Sequence, residues 1–104
     1  MKYYVIGELE ITDQSWVADY IKNVTGLVER FGGRYLARTP MVEKIEGERK
    51  APPISLMIEW PSKEAAMDFY ESEEYRPYRE RRFAGARTEL LLVAGEDIAK
   101  AARS

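Results

Sequence analysis

Ile54-Ser55-Leu56-Met57-Ile58-Glu59-Trp60 alternates cleanly between apolar and less apolar positions. Successive side chains of a strand point to opposite faces, so Ile54, Leu56, Ile58 and Trp60 share one face and Ser55, Met57 and Glu59 the other. Covering the apolar row with helices removes more hydrocarbon from water, at about 25 cal/mol per Å². That row is therefore assigned to a helix-covered face, and Glu59 to the face opposite. Pro52-Pro53 and Pro61-Ser62 bound the strand on either side.

Downstream, Ser62 is placed to cap a helix whose buried stripe is Ala65, Ala66, Phe69 and Tyr70. Ser72-Glu73-Glu74 reads as a break, followed by a short helical turn carrying Tyr75 and Tyr78. A basic stretch from Arg76 to Arg87 leads into a last strand, Thr88 to Ala94, and residues 96–104 read as a short helical tail after a domain spanning 1–95. Upstream, Arg34 to Thr39 is a strand with Tyr35, Ala37 and Thr39 opposite Arg34, Leu36 and Arg38. Pro40 interrupts it, and Met41 to Ile45 reads as its continuation along the sheet edge, closed by Glu46-Gly47-Glu48. Before it, Trp16, Tyr20, Val24, Leu27, Val28 and Phe31 recur at helical spacing, with Asp13 as the expected N-cap and Gly32-Gly33 as the stop. Lys2 to Ile11 is the first strand, with Tyr4, Ile6, Glu8 and Glu10 on one face and Tyr3, Val5, Leu9 and Ile11 on the other.

The order β-α-β-β-α-β predicts an α+β, ferredoxin-like fold with an antiparallel sheet and both helices on one face. The uncovered face keeps apolar residues, and pairing sheet against sheet in a homodimer would cover them and enclose an interior pocket, a dimeric α+β barrel.

The 104 residues contain no cysteine and no histidine, with 16 basic and 18 acidic side chains. Disulfides, thiolate chemistry, imidazole bases and Ser-His-Asp triads are thereby excluded, as are zinc sites that need sulfur or imidazole ligands. Neither a metal site nor a resident cofactor is expected. The balance of charge argues against a nucleic-acid partner. An early Glu8 and the lack of any apolar run of about 18–20 residues argue against a signal peptide or membrane span, so a cytoplasmic protein with no membrane partner is expected.

Gly32-Gly33-Arg34-Tyr35-Leu36-Ala37-Arg38, Glu46-Gly47, Ile58-Glu59-Trp60-Pro61-Ser62-Lys63-Glu64-Ala65-Ala66 and Tyr70-Glu71-Ser72-Glu73-Glu74-Tyr75 follow one another in a fixed order. Together with Tyr4-Val5-Ile6 and Glu89-Leu90-Leu91-Leu92-Val93-Ala94-Gly95, this succession resembles the domain of unknown function 1330 (DUF1330) family of the dimeric α+β-barrel superfamily. The resemblance implies a ferredoxin-like fold and a homodimer but no reaction. Elsewhere in the superfamily stand cofactor-independent monooxygenases, lactone isomerases and haem enzymes. The family's usual Phe before Pro-Ser is Trp60 here.

Candidate site residues follow from the strand parities. Glu59 and Glu8 are the candidate catalytic carboxylates, since a desolvated glutamate has a raised pKa and can act as a base. Arg38 is the expected partner of Glu59 and a ligand-binding candidate, while Arg34 reads as a structural ion-pair residue. Arg82, the member of the basic stretch expected to turn toward the pocket, and the aromatics Tyr4 and Trp60 complete the ligand-binding set. Three functions remain open: a binder of a small aromatic or carboxylated molecule, an enzyme of the cofactor-independent monooxygenase or isomerase type, and a structural dimerisation module.

Overall fold

The computed structural model describes residues 1–101. The elements follow in the order β1 (Tyr3–Ile11), α1 (Val17–Arg30), β2 (Arg34–Thr39), β3 (Ile54–Trp60), α2 (Lys63–Tyr70), α3 (Arg76–Gly85), β4 (Ala86–Ala94) and α4 (Ile98–Ala101). The four strands form one antiparallel sheet in the order β2-β3-β1-β4. This is the ferredoxin-like arrangement the element order predicts. The tail assigned to 96–104 contains α4, and positions 102–104 lie outside the described residues.

Strand β3 lies in the sheet interior, which is why its alternation is so clean. Ile58 pairs with Val5 and Leu56 with Gly7, and this apolar row packs against α1 and α2. Trp60, only 1% exposed, sits at the centre of that core with Val24, Leu27, Val28 and Phe69 around it. The chain makes room for the indole at Gly33, where a Cβ would come within 2.8 Å of Trp60 Cη2 and 2.7 Å of Val28 Cγ1. Gly32 beside it adopts φ +97°, the left-handed geometry that ends α1, and its N–H donates to the Glu29 carbonyl. Ser62 caps α2 as expected, accepting from Ala65 N at 3.0 Å.

Three local expectations are corrected. Helix α1 starts at Val17 rather than just after Asp13, because the Asp13 carboxylate closes a tight turn onto Ser15 N at 2.8 Å instead of capping a helix. Residues 41–45 do not extend β2 but belong to an irregular excursion that returns to the sheet at Ile54. Pro40, Pro52 and Pro53 lack the N–H that a ladder needs. The basic stretch after Tyr75 is a full helix, α3, opened by Pro77 in its first turn.

The fourth correction bears on function. Strand β2 carries a bulge at Leu36: Tyr35 pairs with Ile58, but Ala37 pairs with Met57 and Arg38 with Leu56. One extra residue reverses the parity beyond it. Arg34 therefore stays on the open face beside Glu59, whereas Arg38 crosses to the helix face.

Candidate functional site

Between the helix face of the sheet and the helices lies a cavity of about 480 Å³. The sheet contributes Val5, Leu9, Leu56, Ile58 and Leu92, α1 contributes Tyr20, and α2 contributes Phe69. These are the same inward rows that build the core, so the site is a place where the core is left unfilled. This cavity lies within the single chain, on the side of the sheet opposite the open face where a pocket between two sheets is expected.

The wall is almost wholly apolar, with a few polar groups set into it. Tyr20 from α1 and Tyr75 from the α2–α3 junction share a hydroxyl–hydroxyl hydrogen bond of 2.6 Å. Arg82, on the inner side of α3 and 3% exposed, donates from Nε to the Tyr75 hydroxyl at 3.3 Å. Arg82 forms no ion pair with a carboxylate among the described residues. Its Nη2 is buried without a hydrogen-bond partner, as are Trp60 Nε1 and Thr88 Oγ1, and all three residues line the cavity. A buried polar group without a partner is uncommon in native proteins and calls for an explanation.

Electrostatics follow from burial. Desolvation pushes the Tyr20 phenol far above its ordinary range, and the neighbouring Tyr75 adds to the effect. Desolvation likewise pushes Tyr35 up to about 12, although Arg38 opposes it. Both phenols are protonated at neutral pH and so are not bases, and the Tyr20 hydroxyl serves in a hydrogen bond. For Arg82 burial works against the charge, and the attraction from the Tyr75 and Tyr20 oxygens that would outweigh it is that of ionised phenols, whereas Tyr20 stays protonated at neutral pH. The guanidinium is charged.

Of the six residues singled out from sequence, three line the cavity and three do not. Arg82 and Trp60 lie inside it. Arg38 lies at its wall on the outer side, stacked 3.6 Å above the Tyr35 ring and donating from Nη1 to Thr25 Oγ1 at 2.7 Å. Glu59, Glu8 and Tyr4 project from the open face of the sheet: Tyr4 pairs in register with Glu59, and Glu8 with Ser55. The expected Glu59–Arg38 pair does not form, because the Leu36 bulge puts the two on opposite faces. Glu59 is held instead by Lys2 at 3.2 Å and Arg34 at 3.5 Å, and Glu8 by Arg49 at 2.8 Å. Among the described residues, no aspartate or glutamate lines the cavity. No cluster of three or more potential metal ligands occurs among them either.

The reading from sequence missed the Tyr20–Tyr75 pair and Thr88. A signal existed for the first: Tyr20 stands in the middle of an apolar helical stripe, and a hydroxyl in such a place must find a partner.

No helix among the described residues is long and apolar enough to cross a membrane. No curated protein matches the sequence. Solved structures do. A protein of unknown function from Rhodopseudomonas palustris superposes with a TM-score of 0.75 at 15% identity, over 92% of this chain and 83% of that one. SnoaB, a cofactor-independent oxygenase from Streptomyces nogalater, superposes with a TM-score of 0.64 at 9% identity, over 92% and 94% of the two chains. A hypothetical protein from Arabidopsis thaliana gives a TM-score of 0.63 at 12% identity, over 92% and 88%. At these identities the likeness is one of fold. The sequence profile of the domain of unknown function DUF1330 matches residues 2–96, and the chain belongs to that family.

Proposed function

We propose that the protein binds a small aromatic molecule in the cavity between its sheet and its helices. The observation that carries this reading is the cavity itself: about 480 Å³, apolar-walled, with unpartnered polar groups buried in its lining. Ligand sites are commonly concave and apolar, with a few polar groups that fix orientation. A panel of one- and two-ring aromatic compounds, neutral and anionic, tests it by thermal shift. A ligand at 100 times its Kd stabilises the native state by about 2.7 kcal/mol, which in a domain of this size is a rise in Tm of more than about 10 °C. Ile21→Trp, at an exposed position on the cavity rim, should abolish the rise while leaving the ligand-free Tm unchanged. A panel that shifts nothing refutes the reading.

An enzymatic reading, a cofactor-independent oxygenase or isomerase, is favoured by the likeness of fold to SnoaB. Under it the Arg82 guanidinium would stabilise negative charge developing on a bound substrate. Glu59 and Glu8 lie across the sheet from the cavity and do not line it.

The open face of the sheet supports a homodimer. Leu91 is 65% exposed there, and Ile6, Met57 and Val93 lie near it. An apolar strip on a sheet is a liability that a second copy removes. Sedimentation at micromolar concentration should give twice the 12.0 kDa chain mass, and Leu91→Glu should halve it. A wild-type monomer would remove both the dimer and the structural-module reading.

A further inference from the structure

We propose that the ligand is a monoanionic aromatic carboxylate, with its acid group held by Arg82 and its ring against the aliphatic wall of the cavity. The proposal rests on the cavity reading and adds the chemical class and the residue that selects it.

The cavity is short of acceptors. Of its three buried unpartnered groups, Arg82 Nη2 and Trp60 Nε1 can only donate, and the Thr88 hydroxyl can do either. The Tyr20 and Tyr75 hydroxyls are occupied with each other, and no carboxylate of the described residues lines the space. Whatever fills it should bring acceptor oxygens, and a carboxylate brings two, each able to accept more than one hydrogen bond.

Charge narrows the class. Arg82 is a buried cation that hydrogen-bonds a tyrosine hydroxyl and pairs with no carboxylate of the described residues, so one negative charge on the ligand would balance it. The second arginine of the cavity, Arg38, is exposed and already engaged with Tyr35 and Thr25, which leaves a dianion such as a phosphate monoester without a second buried counter-charge. The remaining wall offers hydrocarbon and ring faces, so the rest of the molecule is apolar. A guanidinium also suits a planar carboxylate better than an ammonium would.

Isothermal titration with 2-naphthoate and its near-isostere 2-naphthamide at pH 7 tests the proposal, because the two differ in charge while sharing the ring. Wild-type protein should bind the carboxylate at least tenfold more tightly than the amide. Arg82→Met should erase that preference by weakening the carboxylate alone, and Arg38→Met should leave it in place. Equal binding of the two by the wild type would overturn the proposal while leaving the cavity reading intact. A preference that survives in Arg82→Met would overturn the assignment to Arg82. Failure of both compounds to bind the wild type would overturn the proposal and the cavity reading together. Should Arg82→Met not fold, the wild-type comparison, with the Arg82 Nε resonance followed by NMR during titration, separates the same outcomes: a resonance that shifts on carboxylate binding supports Arg82, and an unmoved one overturns its assignment.

Discussion

Trp60→Ala should lower stability by about 3–5 kcal/mol, the range found when a buried aromatic side chain is truncated in a core. Trp60 is almost completely enclosed, and its ring is tilted against Phe69 with centroids 5.3 Å apart. Gly33 is kept bare beneath it. Removing the indole would open a void beside a cavity of about 480 Å³, so little of the loss can be recovered by neighbours relaxing inward. Against a typical total of about 5–15 kcal/mol for a small domain, such a loss is a large share of the stability and should lower the urea midpoint by about 1–5 M. The measurement is urea unfolding at a fixed protomer concentration, since association would otherwise shift the midpoint. Trp60→Phe, which keeps a ring in the same slot, should lose less than half as much. A loss below about 1 kcal/mol for Trp60→Ala would mean that the indole is not the keystone of the packing.

The sheet was legible because its strands carry unambiguous parity signals. Ile54 to Trp60 could be assigned to faces by counting, and the register agrees: Ile58 and Leu56 meet the helices, Met57 and Glu59 do not. The same counting failed on β2 because a bulge has no composition of its own. Leu36 looks like any strand leucine, yet it displaces Arg38 to the other face and dissolves the pair expected with Glu59. The cavity was illegible for a related reason. Sequence gives the sign of a face, apolar or polar, but not whether the apolar side chains on two layers add up to the volume between them. Val5, Leu9, Leu56 and Tyr20 read as ordinary core, and only their placement shows that they fall short of filling it. Arg82 was singled out within a row of arginines, but nothing in that row shows that it alone among them would be buried while Arg76, Arg79 and Arg81 pair with Glu73, the Tyr70 carbonyl and Asp19.

Arg82→Met should make the ligand-free protein more stable, by about 1–3 kcal/mol. A cation taken out of water must be repaid by counter-charge and hydrogen bonds. Arg82 has the Tyr75 hydroxyl at 3.3 Å, the face of Phe83 with its centroid 5.1 Å away, and an Nη2 with no partner. Methionine fills much of the same volume with flexible hydrocarbon and sulfur and leaves no polar atom to satisfy. The Tyr20–Tyr75 hydrogen bond does not depend on Arg82 and survives the change. Arg82→Ala is the contrasting variant: it removes the charge but also the packing, enlarging the cavity, and should be no more stable than wild type. The prediction is checked by comparing urea midpoints of the three proteins without ligand and again with saturating 2-naphthoate. Without ligand Arg82→Met should unfold last, and with ligand the order of Arg82→Met and wild type should reverse, because the anion supplies what the guanidinium lacks. If Arg82→Met is destabilised without ligand, the arginine is a structural element already satisfied by its surroundings. The gain without ligand, by contrast, is the signature of a residue retained at a cost to folding for what it binds.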